Sequence, residues 1–143
     1  LQLQSKYSHL YTVSESVCVS ADVLIHALMD AMLGAAGLRD IGYYFPPEDD
    51  QYKGISSMLL LEKVNFLLKE RGLQAYNIDI MVISETPKLK PHIDMMKANL
   101  QSILEIPLDR ISIKATTNEM LGAIGRREGI AAQAVVSVYE GEI

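Results

Sequence analysis

A single cysteine, Cys18, stands among 143 residues, so no disulfide can close within the chain, as fits a reducing compartment. Basic residues are the minority, 13 Lys and Arg against 18 Asp and Glu, for a net charge of −5. They are scattered, which excludes the basic patch of a nucleic-acid surface. No apolar run comes near the about 18 to 20 residues that a membrane-spanning helix needs, and the first residues lack the charged-then-apolar layout of a secretion signal. The expectation is a cytoplasmic protein with neither a membrane nor a nucleic acid as partner. Internal repeats and low-complexity segments are also missing. Residues 1–143, 49% of them apolar, read as one domain with enough material for a core.

What the chain does have is periodicity. From about Ser20 to Leu38 the apolar residues Leu24, Leu28, Ala31, Met32 and Ala35 recur at three and four, predicting a helix with Ser20 as N-cap and Gly37 near its end. Residues 1–20 hold no sustained period and read as strand or loop. Residues 39–54, rich in aromatics and acids, form a long loop and a candidate lid. A second helix is expected over 56–71, a strand over 77–84, and a third helix over 92–104 on Ile93, Met96, Leu100 and Ile103. Ile111 and Ile113 alternate with Ser112 and Lys114 in a further strand, and a last strand covers 131–139. This order predicts an α+β fold, a mixed β-sheet with helices packed on one face.

Several residues carry chemistry beyond packing. Asp22, His26 and Asp30 recur every four residues and so stack along one helix face. Imidazole suits zinc when a carboxylate orients it, while the plainer reading of His26 is a hydrogen-bonded buried histidine. Asp40 could accept from substrate hydroxyls, with Gly42 allowing close backbone approach; an ordinary turn is the alternative. From Lys114 to Gly129 the alternation breaks into two hydroxyls, a carboxylate, glycines and a pair of arginines. Thr116 and Thr117 at a strand end could hold a phosphate, Glu119 a cation, and Arg126 phosphate oxygens. The alternative is a Thr-capped helix with Glu119 in its first turn.

Four blocks in matching order carry a resemblance. They are Asp22 to Gly42, then Phe45-Pro46-Pro47 with Tyr52-Lys53-Gly54, then Thr86-Pro87-Lys88-Leu89 with Pro91-His92-Ile93, and lastly Lys114 to Gly129. Over about residues 21–140 the chain resembles the 2-C-methyl-D-erythritol 2,4-cyclodiphosphate synthase family. The resemblance implies a homotrimer with active sites between subunits, acting in non-mevalonate isoprenoid synthesis. It implies cyclisation of 4-diphosphocytidyl-2-C-methyl-D-erythritol 2-phosphate, a CDP-linked small molecule, with release of CMP and help from zinc and from magnesium or manganese.

By the same resemblance His26 is a zinc ligand, and Asp40, Ile41 and Gly42 hold substrate hydroxyls. Phe45, Pro46, Pro47, Glu48 and Asp49 match the substrate loop. Ser84, Glu85, Thr86, Pro87, Lys88, Leu89 and Lys90 match the cytidine pocket. Thr116, Thr117, Asn118, Glu119, Ala123 and Arg126 match the phosphate side, with Thr117 catalytic and Glu119 a ligand of the second metal. The departures are at the start and the end. The family opens with Asp-x-His, two further zinc ligands, where this chain offers only Tyr7-Ser8-His9, and Ala123 stands where phenylalanine is usual. An incomplete zinc site implies impaired turnover, and the alternative is a trimeric, non-catalytic binder of CDP or isoprenoid diphosphates.

Overall fold

The computed structural model describes residues 15–141. The reading of residues 1–14, His9 included, lies outside the described residues.

The first helix, α1, runs Glu15–Ala35 and so starts earlier than its predicted Ser20 cap. Ser20 is fully buried inside the helix instead. The three-and-four spacing extends upstream through Val17 and Ala21 to Leu24 and Leu28, and the β-branched residues of 17–19 had masked it. The helix stops as its glycine predicts. Leu38 N–H bonds the Leu33 carbonyl at 2.8 Å and Gly37 N–H bonds that of Gly34 at 3.0 Å, with Gly37 at φ +72°, a Schellman motif.

By length and composition Val17–Ala35 could cross a membrane, contrary to the expectation that no run comes near that length. Core packing accounts for its apolar character. Leu24, Ile25, Leu28, Met29, Met32 and Leu33 are all buried, each contributing roughly 1.5–3 kcal/mol.

The supposed lid contains a single helical turn, α2 (Ile41–Tyr44), and a 3₁₀ turn at Asp50–Tyr52. Helix α3 (Ser57–Glu70) follows, with the Ser56 hydroxyl accepting from Met58 N–H as N-cap. Ser57 in turn donates to Asp22, which ties α3 to α1.

Strand β1 (Leu73–Ile83) is longer than predicted because a bulge between Ala75 and Asn77 breaks its alternation: buried Ala75 and Ile78 lie three apart. Helix α4 (Ile93–Leu104) crosses over to β2 (Ile111–Thr116), which pairs parallel to β1. A last helical turn, α5 (Gly122–Gly125), precedes β3 (Ala131–Glu140), antiparallel to β1.

The sheet order β2-β1-β3 is mixed, and α1, α3 and α4 cover one face. The fold class is therefore the expected α+β arrangement. Ile78, Ile80, Val82, Ile111 and Ile113 point into this core. On the other face, Lys114 pairs with Asp79 at 2.9 Å and Val135 stands 72% exposed.

Candidate active site

Two parallel strands that end side by side leave a crevice beyond their carboxyl ends, where ligands of such sheets bind. Here β1 and β2 end in register, Ile83 opposite Thr116, and Ser84 N–H extends the ladder by one bond to the Thr116 carbonyl at 2.9 Å. The strands then part. The Ser84 hydroxyl donates to the Thr86 carbonyl at 2.6 Å, the Thr86-Pro87 bond is cis, and buried Leu89 anchors the segment, so Lys88 and Lys90 stay at the surface. A cleft of about 150 Å³ results, lined by Ser84, Pro87, Lys88, Leu89, Lys90, Ala115, Thr116 and Thr117. The structure thus brings together the predicted nucleotide segment and the predicted threonine pair.

Beyond Thr117 the backbone forms a turn rather than the alternative Thr-capped helix. Glu119 and Met120 take φ of 53° and 62°, the left-handed region, which an L residue enters at a cost of about 1–2 kcal/mol. Local bonds hold it. Thr117 Oγ1 accepts from Glu119 N–H at 3.2 Å, and Asn118 Nδ2 donates to the Leu121 carbonyl at 2.7 Å. A Cβ on Gly125 would lie 2.1 Å from the Met120 carbonyl carbon, so only glycine fits there.

One support comes from the other side of the cleft. The two carboxylate oxygens of Glu85 accept from Asn118 N–H at 2.6 Å and Met120 N–H at 3.2 Å. The Thr116 hydroxyl donates only a long bond, 3.3 Å, to the Thr117 carbonyl. Thr117 Oγ1, already an acceptor, keeps its own proton for a ligand. The Glu119 carboxylate is exposed and has no hydrogen bond or ion pair among the described residues. Ala123 is also exposed, and exposed Arg126 pairs with Glu128.

The other predicted group gathers around α2. Asp30 accepts from Ile41 N–H at 2.9 Å, holding the start of that turn against α1. Asp40 precedes it, its side chain making no capping bond. A Cβ on Gly42 would meet Asp40 Oδ2 at 3.0 Å. Phe45 meets Tyr52 edge to face at 5.3 Å, and Asp49 caps the following 3₁₀ turn, while Pro47 and Glu48 are exposed. Phe45 also lines a larger recess of about 580 Å³ with Tyr44, Tyr52 and α3 residues; that recess shares no lining residue with the strand-end cleft. No hydrogen bond or ion pair among the described residues joins the two groups.

His26 is exposed, which corrects the reading of it as a buried core histidine. Its stripe neighbours are engaged, Asp22 by Ser57 and Asp30 by Ile41 N–H. Among the described residues no three His, Cys, Asp or Glu side chains come together as a metal site. A zinc centre needs about three protein donors, so the described residues do not fit one. Magnesium asks less, one or two carboxylates plus substrate phosphates, and exposed Glu119 beside the threonines fits that role. Sequence reasoning missed the holding role of Asp30. It also missed the tightness at Gly125, because both depend on contacts that spacing does not reveal.

The strand-end cleft is lined by the paired hydroxyls of Thr116 and Thr117 and by Lys88 and Lys90, donors of the kind that phosphate oxygens accept from. The YgbB family's profile matches residues 11–139. The 2-C-methyl-D-erythritol 2,4-cyclodiphosphate synthase of Nostoc punctiforme is 58% identical over 116 residues, covering 81% of this chain and 72% of that protein. Among solved structures, the bifunctional IspDF of Campylobacter jejuni matches with TM-score 0.80 and 43% identity over 84% of this chain, which spans 32% of that longer one. A Plasmodium falciparum IspF in complex with CDP matches with TM-score 0.74 and 29% identity, covering 84% of this chain and 72% of its own. The chain belongs to the YgbB family, that of the 2-C-methyl-D-erythritol 2,4-cyclodiphosphate synthases.

Proposed function

We propose that this chain cyclises 4-diphosphocytidyl-2-C-methyl-D-erythritol 2-phosphate in non-mevalonate isoprenoid synthesis, as a phosphorus–oxygen lyase. An oxygen of the 2-phosphate forms a bond to the β-phosphorus of the CDP group. The bond from that phosphorus to the bridging oxygen breaks, CMP leaves with the electron pair, and no water is consumed. The observation that carries this reading is the meeting of Lys88 with Thr116 and Thr117 in one cleft, a nucleotide-side cation beside phosphate-side hydroxyls.

Each residue has a part. Backbone and Lys88 of the 84–90 segment hold the cytidine half, and Thr117 donates its free proton to a phosphoryl oxygen as charge shifts across the diphosphate. Asp40, Ile41 and Gly42 meet the erythritol hydroxyls, under the loop from Phe45 to Asp49. Glu119 is the residue that would hold magnesium or manganese, which when bound neutralises diphosphate charge. The separation of the α2 group from the strand-end cleft supports a homotrimer in which one copy's α2 faces its neighbour's cleft. Exposed Met120 and Leu121, at 78% and 68%, supply apolar surface for that contact.

Incubation with the substrate and magnesium, followed by phosphorus NMR, tests this. CMP and a cyclic diphosphate appearing together bear it out. CMP without the cyclic product, or neither, overturns it. A second reading, a non-catalytic binder of CDP or isoprenoid diphosphates, is favoured by the lack of a three-donor metal cluster among the described residues. It expects CDP with magnesium to raise the melting temperature while zinc leaves it unchanged and CMP release is nil.

A further inference from the structure

We propose that Glu85 is a positioning residue of the phosphate side: it shapes the Thr117 turn without touching the ligand. This rests on the function proposed above. Glu85 follows β1 by two residues, in the segment that carries Lys88, yet its carboxylate reaches the turn after β2, accepting from Asn118 N–H and Met120 N–H at 2.6 and 3.2 Å. Those two donors flank Glu119, and Glu119 and Met120 are the two non-glycine residues held at positive φ there. Backbone N–H groups that converge in a turn form a concavity for an anion. Glu85 fills it with an internal carboxylate, so an incoming phosphate is directed to the Thr116 and Thr117 hydroxyls instead.

The consequence is a tie between the two sides of the cleft. One side chain rooted in the nucleotide segment sets the backbone from which Thr117 and Glu119 reach the diphosphate. Its removal leaves two N–H groups to water and lets a strained pair of residues relax, whereas the cytidine pocket keeps its own anchors, Leu89 and the Ser84 hydroxyl bond.

The experiment measures the affinities of CDP and CMP, with magnesium, for the full chain and for its Glu85→Ala and Glu85→Gln forms, together with amide hydrogen exchange. Glu85→Ala is expected to weaken CDP about tenfold, the weight of a charge-assisted bond, and CMP by less than about twofold. Glu85→Gln, which keeps one acceptor at the same reach, recovers part of the loss. Exchange at Asn118 and Met120 rises in the alanine form and falls back partly in the glutamine form. Equal losses for CDP and CMP, or no loss for either, overturn the proposal. If the parent chain binds neither nucleotide, the proposed function fails on its own account; exchange then decides for Glu85, and unchanged protection at Asn118 and Met120 in the alanine form overturns it.

Discussion

The two halves of the predicted site are built differently. The strand-end half is anchored in the sheet: Thr116 is the last residue of β2, Ser84 continues β1, and bonds from Glu85, Thr117 and Asn118 lock the turn that follows. The α2 half lies on a connection outside the sheet, fastened to α1 by the Asp30 to Ile41 bond and stiffened by the Phe45 and Tyr52 rings. The contrast teaches where a single chain does its own pre-organising. On the proposed function, phosphates, whose charge must be met at fixed points, would meet the sheet-anchored half, and the erythritol hydroxyls the connection tied to α1 by one bond.

The contrast can be broken most sharply at Thr117. Thr117→Ala removes the free donor and should cut CMP release by about a hundredfold or more while CDP affinity, read by calorimetry, moves by less than about threefold. Next in size, Gly125→Ala forces Met120 to move, because its Cβ would sit 2.1 Å from that residue's carbonyl carbon. A loss of CDP affinity of about tenfold or more is expected, with little change in melting since the turn lies outside the core. Unchanged affinity would show the rigid half to be less rigid than drawn. Glu119→Gln should abolish the gain in CDP affinity that magnesium is expected to give the parent chain, roughly tenfold, and leave the metal-free affinity alone, as titration would show. The smallest effect belongs to the adjustable half: Asp30→Ala should cost about 0.5–1.5 kcal/mol by denaturant titration and speed exchange at the Ile41 amide, with CDP binding unmoved. A change in CDP affinity there would join the halves within one chain.

Much of the fold was legible because its signals are local. Ser56 caps α3 as a serine before an apolar period should, Gly37 closes α1, and the alternation of Ile111 and Ile113 located β2. Where a signal was broken the reading slipped. The bulge near Asn77 hid the first turns' worth of β1, and valines hid the start of α1. At the site, residue types pointed to positions that the fold brings together, since Thr116, Thr117 and Lys88 line one cleft. Their geometry stayed hidden, because the shape of the turn is set by Glu85, 33 residues upstream of Asn118, and spacing says nothing about such a contact.

The antiparallel pairing of β1 with β3 sets Glu140 against Leu73, and Gly141 N–H reaches the Gly72 carbonyl at 3.3 Å. The chain therefore leaves the sheet at the pole opposite the cleft, with the 11 residues of β1 between them, about 35 Å at roughly 3.3 Å per residue. A fluorescent reporter or a surface tether attached at Gly141 would stand a strand's length from the 84–90 segment, which makes that position a natural handle for immobilised binding assays.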